Sequence, residues 1–543
     1  MVLKNSFNFI NEFFFYIIRS VRKLYLKSSF YNKKISKINN KSLEYKPSLS
    51  ILSCLIKYDK KRKNIEDFHL NSIWEKDNLK ESDYKKLHNF FWLFTIDLKS
   101  SKSITQSIVK NWIDKNENYN NKNWEIDILS KRVISWISNS KLTYEDGDAN
   151  YKYQFISIIQ KQINHLIYEI NRSDHVDDKM IGCTAIILSG LCFKDEKYIS
   201  YGLNLLKEIK KYSFNNENFP KSRSLRQLIF YLKYFVLIRE LLKESQNSIP
   251  EYINEIIFYL GKGYNLLWQK TKLSLLFNGN HNADYSDFDK YLQFHGYKFK
   301  SETNEIGGYA ILKNKNVSIA MDIGSNPDKE FSNNYQSGAL SFELSCAKEK
   351  VICNSGYFQN YKHRLNNISR STATHSTLIL DNTSITKFKK EINGCSKIQK
   401  NFKILNKKII NEKNVLGLTA SHDGYQKRYG TIHERKIEFY PNDNKLIGFD
   451  KLIKKKNFKS TNFEIRFHLL PKSKVTKTQD GNVILIELEN SGWKFSANNH
   501  LIDVESGLYF GNKNSFVENQ NFFISGVTQK EDQIVKWEFE KIV

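Results

Sequence analysis

From residue 82 to 272 the apolar residues recur three and four positions apart. The stretches LHNFFWLFTIDL, SITQSIVKNWIDK, IDILSKRVISWISNS, YQFISIIQKQINHLIYEI, MIGCTAIILSGLCF, YISYGLNLLKEIKKY, SLRQLIFYLKYFVLIRELLKE and IPEYINEIIFYLGKGYNLLWQ all carry this period, which predicts amphipathic helices. Connections between them are short, so they pack against one another as a bundle, a solenoid or a toroid. Periodicity does not choose among the three. Near 272 the period changes. KLSLLFNGN and GGYAILKNKNVSIAMDIGS read as strands joined by Asn- and Gly-bearing turns, and VLGLTASHD, NFEIRFHLLP, NVILIELENSGWKFSANN and QIVKWEFEKIV continue short β runs to the C-terminus. That spacing predicts a large antiparallel sandwich. The expected division is an N-terminal helix and linker over 1–80, a helical domain over 81–272 and a β-sandwich domain over 273–543. A cleft between a helical ring and a sheet stack would suit a long polymer.

The stretch from Asn333 to Asn382 is the densest in turns and polar groups. Its β-like runs end in Glu343, Asn354, Tyr357, Arg370 and His375, a pattern that a core does not need and a site on a sheet rim would use. Glu343 also reads as the charged rim of a strand. The tryptophans Trp92, Trp112, Trp124 and Trp136 fill gaps between helices, and Arg132 either bridges neighbouring helices or faces a cleft.

Charge narrows the partner. Lys and Arg outnumber Asp and Glu by 84 to 58, a formal +26, which favours a polyanion over a neutral surface. No helix-turn-helix, zinc-finger or RNA-binding signature accompanies it, so no nucleic acid is expected and an acidic glycan is the better match. The six cysteines form no CxxC pair and read as buried thiols; Cys346 and Cys353 flank one hairpin and could face each other. The N-terminus, MVLKNSFNFINEFFFYIIRSVRKLYLK, has an apolar centre interrupted by Asn11 and Glu12. It is too short to span a bilayer and shows no small-residue cleavage signal. A basic amphipathic helix fits, either lying on a membrane surface or packing on the next domain.

Several phrases carry a family resemblance: SGALSFELS, the turn beginning at Asn354, Arg370 followed by STATHSTLILD, and HDGYQKRYGTIHERK from His422 to Lys436. They resemble the heparinase II/III family of polysaccharide lyases. The resemblance implies an α+β multidomain fold, an incomplete (α/α) toroid followed by an antiparallel β-sandwich or super-sandwich. It implies β-elimination on uronate-containing glycans, and action in the bacterial periplasm or cell envelope, although no cleavable leader is evident. A non-catalytic acidic-glycan-binding protein on the same scaffold is the alternative, and binding driven by charge alone is a third reading.

A uronate lyase must neutralise the sugar carboxylate, remove the C5 proton and protonate the departing O4 oxygen. Tyr335, Tyr357 and His375 are the candidates for proton transfer. Arg223, Arg370, Asn354, His422 and Tyr425 are the candidates for holding substrate, with arginine suited to a bidentate grip on a carboxylate. A tyrosine acting as base needs a cation close by, which Arg223 or Arg370 could supply. Where the family phrase GGHISRNP has its histidine, this chain has Pro220; Tyr335, Gln336 and Ser337 stand where the family has an HxH or HxG phrase, and Asn354 stands where an Asp is common. The zinc site implied by the family is therefore incomplete, and neither metal nor cofactor is expected. His433 could line the cleft or organise a loop, Asn278 reads as a turn residue, Tyr309 as a packing residue and His468 as a residue on a sheet face.

Overall fold

A computed structural model describes residues 16–37, 42–55, 63–65, 74, 79–391, 394–497, 500–513 and 515–542. The expected N-terminal helix is helical over 16–26; its first fifteen residues and most of 56–78 lie outside the described residues. The chain forms two compact units, residues 1–213 with 231–257 and residues 214–230 with 258–543. The short segment 214–230 thus groups with the strands, an assignment that helical periodicity does not carry.

The first unit is a set of antiparallel helices that includes Lys102–Asn116, Ile126–Ser138, Ala149–Glu169, Val176–Phe193 and Glu196–Ser213. Two of them, Lys102–Asn116 and Ala149–Glu169, start at side chains that take up orphan backbone donors. Ser101 accepts from the Ile104 N–H at 3.3 Å and Asp148 from the Tyr151 N–H at 2.8 Å. Val176–Phe193 is buried almost throughout, as a helix apolar on every side must be. It approaches Glu196–Ser213 closely because Gly202 has no side chain: a Cβ there would lie 2.5 Å from Ile187 Cγ1. The tryptophans fill the helix interfaces. Trp112 and Trp136 meet edge to face at 5.4 Å, and Trp136 stacks on Phe155 at 5.7 Å. Arg132 takes the bridging role. Its guanidinium lies 4.1 Å from the Trp112 ring centre and donates to Gln162 Oε1, the His88 carbonyl and the Asn123 carbonyl at 3.2, 2.9 and 3.0 Å.

The second unit is built on antiparallel sheets. A five-stranded sheet runs in chain order through Glu305–Ile306, Tyr309–Lys313, Val317–Asp322, Phe342–Cys346 and Glu349–Ile352. An eight-stranded sheet has the spatial order Lys474–Lys477, Val483–Glu487, Gly492–Ala497, Gln533–Lys541, Lys445–Lys454, Thr431–Tyr440, Leu416–His422, Ile404–Asn411. A four-stranded sheet has the order Ile502–Tyr509, Val517–Val527, Asn462–His468, Leu378–Leu380. The long central strands alternate buried and half-exposed residues, as in Thr431–Tyr440 and Lys445–Lys454, the period expected of a sheet buried on one face.

The three sheets share one apolar core. Phe467 of the four-stranded sheet packs 4.8 Å from Phe495 and 5.0 Å from Trp537 of the eight-stranded sheet, and Trp537 stacks 5.5 Å from Phe342 of the five-stranded sheet. All six cysteines are free and buried. The hairpin at 342–352 does form, but Cys346 opposes Glu349 while Cys353 bridges to His468, so the two thiols are not cross-strand partners.

Candidate functional site

Arg223 stands just before the helix Leu225–Glu244, at a positive φ of 56°. All five of its N–H groups are occupied. Nε donates to the Gly307 carbonyl at 3.0 Å, Nη1 to the Gly324 and Ser325 carbonyls at 3.1 and 3.0 Å, and Nη2 to the Gly308 carbonyl at 3.1 Å and to Asp322 Oδ1. Burial works against its charge, but Asp322 together with Tyr309 and Tyr335 outweighs burial and holds its pKa above the ordinary value. A guanidinium has no sixth donor, so Arg223 is not a bidentate clamp for a sugar acid. It is a latch that draws the 307–308 and 322–325 turns together. Glycine is required at the contact, because a Cβ on Gly324 would lie 2.3 Å from Arg223 Nη2.

Above this latch lies an open groove of about 590 Å³, lined by residues 215–217 and 219–221 with Arg223, by Glu305, Gly307 and Gly308, and by residues 324–328 and Lys407. Lys407 pairs with Glu305, and the Lys221 ammonium lies 5.3 Å from the Phe331 ring centre. No histidine or tyrosine lines the groove among the described residues.

The latch continues inward as a buried polar chain. Asn278 Nδ2 donates to Asp322 Oδ2 at 3.1 Å and contacts the Tyr309 hydroxyl, which donates to the Arg223 carbonyl at 2.6 Å. The Gln336 N–H donates to Asn278 Oδ1 at 3.2 Å, Gln336 Oε1 accepts from the Gly279 N–H at 3.0 Å, and Gln336 Nε2 donates to the Gly356 and Ser369 carbonyls at 2.9 and 2.6 Å. Asn278, read from sequence as a turn, and Tyr309, read as packing, are both members of this chain. Asp322 carried no sequence signal beyond its turn, and Gln336 was marked in sequence only as part of the phrase standing where the family has HxH or HxG.

Tyr335 and Arg370 join the same chain from its far side. Arg370 is fully buried. It donates to the carbonyls of Tyr335, Ser396 and Ser332 at 2.8, 2.7 and 2.7 Å, and lies 3.9 Å from the Phe388 ring centre. Burial pushes its pKa down to about 10, opposed by the neighbouring Tyr357. Arg370 is thereby corrected from a substrate grip to a buried pin with its charge in place. Tyr335 is also fully buried, and its hydroxyl has no hydrogen-bond partner among the described residues. Burial and Asp322 push its pKa well above the ordinary value, with Arg223 opposing. A phenol so placed holds its proton and is unsuited to act as base.

Tyr357 differs. Its hydroxyl is 3.4 Å from the Asn333 carbonyl and 3.3 Å from Asn334 Oδ1, and both asparagines are half-buried. Close to it in sequence, half-buried Gln359 donates through Nε2 to Nδ1 of half-buried His281 at 3.0 Å. A Cβ on Gly279, whose φ is +80°, would lie 2.7 Å from Asn334 Cβ and 3.3 Å from Ser224 Oγ. This glycine therefore lets the Tyr357 side approach the segment that carries Arg223. Tyr357 is itself buried, 3% exposed, and its hydroxyl lies against the two half-buried asparagines.

The other candidates lie elsewhere in the unit and are buried. Asn354 Oδ1 accepts from the Ser376 N–H at 2.9 Å, and its N–H donates to Glu343 Oε1 at 3.1 Å. Glu343 is not on a rim: it is buried, pairs with Lys350 at 2.7 Å, and accepts from the Leu276 N–H at 2.9 Å. His375 Nδ1 donates to the Ser371 carbonyl at 2.8 Å, and burial pulls its pKa down to about 4. Its ring lies against Gly338, where a Cβ would meet Cδ2 at 2.4 Å. His468 lies between Ser355 Oγ at 3.1 Å and the Ala373 carbonyl at 2.9 Å, its pKa pulled down to about 3 by burial and by Arg466.

His422 and Tyr425 belong to a separate buried cluster. His422 Nδ1 accepts from the Gly424 N–H at 3.1 Å and faces the His433 ring at 5.3 Å; Tyr425 is 3.3 Å from each of the Leu378 and Thr383 carbonyls. His433 Nε2, Arg435 and Trp537 Nε1 all converge on the Asp450 carboxylate, at 2.6, 2.8 and 2.8 Å. The Asp450 contacts organise the sheet, and His422 and Tyr425, expected to hold substrate, are themselves buried at 0% and 1% exposure. For a metal, the residue types at the expected position are an amide committed to Glu343 and Ser376 and one imidazole. Among the described residues no group of three or more His, Cys, Asp or Glu side chains could hold an ion.

Residues 302–538 match a family described as Heparinase II/III-like, C-terminal. Two solved structures are similar over nearly the whole chain. The heparan sulfate lyase HepC from Pedobacter heparinus has a TM-score of 0.62 at 14% identity, covering 94% of this chain and 87% of that one. A heparinase III has a TM-score of 0.67 at 14% identity, covering 94% and 88%. No curated protein matches the chain in sequence. At this identity the likeness carries the fold, a helical toroid and a β-sandwich.

Proposed function

We propose that this chain, whose residues 302–538 match the heparinase II/III-like C-terminal family, is a polysaccharide lyase acting on uronate-containing glycans by β-elimination. The observation that carries the reading is Tyr357. Its hydroxyl adjoins the half-buried Asn333 and Asn334 beside the buried charge of Arg370, in a chain with the fold of known lyases. A cation next to a phenol stabilises negative charge developing on its oxygen. In the proposed reaction the Tyr357 oxygen takes the C5 proton while its own phenolic proton is given up to O4, the C5–H electron pair forms the C4–C5 double bond, and the C4–O4 bond breaks, so the tyrosine ends with one proton as it began. In this reading the amides of Asn334 and Gln359 and the imidazole of His281 face the sugar acid. The chemistry uses side chains alone.

A second reading, acidic-glycan binding without catalysis, draws on the burial of Tyr335 and His375 and on Pro220. One experiment separates them. The protein is incubated with heparan sulfate, chondroitin sulfate, hyaluronan and alginate, and the ultraviolet absorbance of the unsaturated uronate is followed beside a binding titration. The lyase reading expects product from at least one polymer and its loss in Tyr357→Phe with binding retained. Binding to one or more polymers with product from none would leave only the second reading.

A further inference from the structure

The helix over residues 16–26 has two unlike sides. On one, Arg22 Nε donates to Glu169 Oε2 at 3.3 Å, its guanidinium lies 4.7 Å from the Tyr25 ring centre, and Leu26 is buried. The Arg22–Glu169 pair and the burial of Leu26 hold the helix on the first unit. On the other side Ile17, Ile18, Val21 and Leu24 are 39%, 65%, 60% and 71% exposed. At 3.6 residues per turn, Ile17, Val21 and Leu24 share an arc of roughly 60°, and the sequence repeats the spacing upstream at Ile10, Phe13 and Phe14. An apolar stripe of this kind on a helix that is already docked has no structural use in water.

Charge identifies what covers it. Between residues 16 and 37 the chain has seven Lys or Arg and no Asp or Glu, and Lys23 and Lys27 are exposed. Apolar residues on one arc flanked by lysines are the pattern of a helix lying in the headgroup layer of an anionic bilayer. Among the described residues no helix is long and apolar enough to cross a membrane, so the segment would lie along the surface.

We propose that the outward face of this helix, through Ile17, Val21 and Leu24 with Lys23 and Lys27, binds the protein to an anionic lipid surface. Docking of the opposite side by Arg22 and Leu26 pre-orders the helix, so the membrane does not have to supply its folding. The proposal does not depend on the glycan chemistry.

The test is co-sedimentation of the full chain with phosphatidylcholine vesicles with and without phosphatidylglycerol. The expected result is binding to the anionic vesicles only, weakened by salt. Val21→Glu with Leu24→Glu, and separately Lys23→Glu with Lys27→Glu, are each expected to lower the partition coefficient by about tenfold or more. Both pairs are solvent-exposed, so thermal melting checks that the fold is intact. Absence of binding to anionic vesicles, or binding unchanged by either pair with melting unaltered, overturns the proposal. A dimer in sedimentation equilibrium that Val21→Glu with Leu24→Glu dissolves would give the face to a second copy of the chain and overturn it as well.

Discussion

Lowering the pH from 7 to 5 should strip several kcal/mol of stability from the second unit. His375 and His468 are buried and neutral, with pKa values pulled down to about 4 and about 3 chiefly by desolvation. In the unfolded chain each returns to about 6.5. The folded pKa is the lower one, so below 6.5 the unfolded state binds more protons and is favoured as pH falls. The stabilisation is complete above about 6.5 and is lost as pH drops toward the folded values. At pH 5 an unfolded histidine has taken up its proton and these two have not, which costs about 2 kcal/mol for each, or about 4 kcal/mol for the pair. Against a domain stability of about 5–15 kcal/mol that is a large share. His422 and His433, also pulled below the ordinary value by burial, add in the same direction. The assay is urea denaturation followed by tryptophan fluorescence at pH 7, 6 and 5, with Trp493 and Trp537 as reporters in the second unit. The expected midpoint falls at each step. His375→Gln should reduce the pH dependence by about one histidine's share. A midpoint that does not move between pH 7 and 5 would refute the reasoning.

Two substitutions test the buried networks. Asp322→Ala leaves the Arg223 guanidinium buried without its carboxylate and should cost about 3–5 kcal/mol, read as a lower melting temperature; an unchanged melt would mean that the latch is not structural. Asp450→Asn removes the charge on which His433, Arg435 and Trp537 converge, with a loss of similar size expected by urea titration. Arg435→Met added to it should recover part of that loss, because the uncompensated charge is then gone.

Helices and strands were legible in the sequence because their periods are carried by many residues at once: the 3.6 repeat up to 272 and the alternation in Thr431–Tyr440 and Lys445–Lys454 survive any single exception. The division of Phe214–Phe230 from the helical unit was not, since Arg223 reaches Gly307 and Gly324 across 84 and 101 residues and no local pattern records such a contact. The phrases that carry the resemblance mark buried hydrogen-bond networks as well as half-buried side chains. Arg370, His375, His422 and Tyr425 sit in recognisable phrases because those phrases build turns and buried hydrogen bonds. Asn278 and His281 fall in a stretch that reads as a turn, FNGNHN. Burial is the missing variable, for a polar residue at a strand end reads the same whether its donors face a sugar or a backbone carbonyl.

The proposed elimination is tested most directly by the fate of solvent oxygen. A polymer that the protein cleaves is digested in water enriched in oxygen-18, and the fragments are weighed by mass spectrometry. Elimination predicts new ends that lack the elements of water, carry a C4–C5 double bond and contain no heavy oxygen. Fragments that gain labelled water, with no unsaturated end, would show hydrolysis and contradict the account.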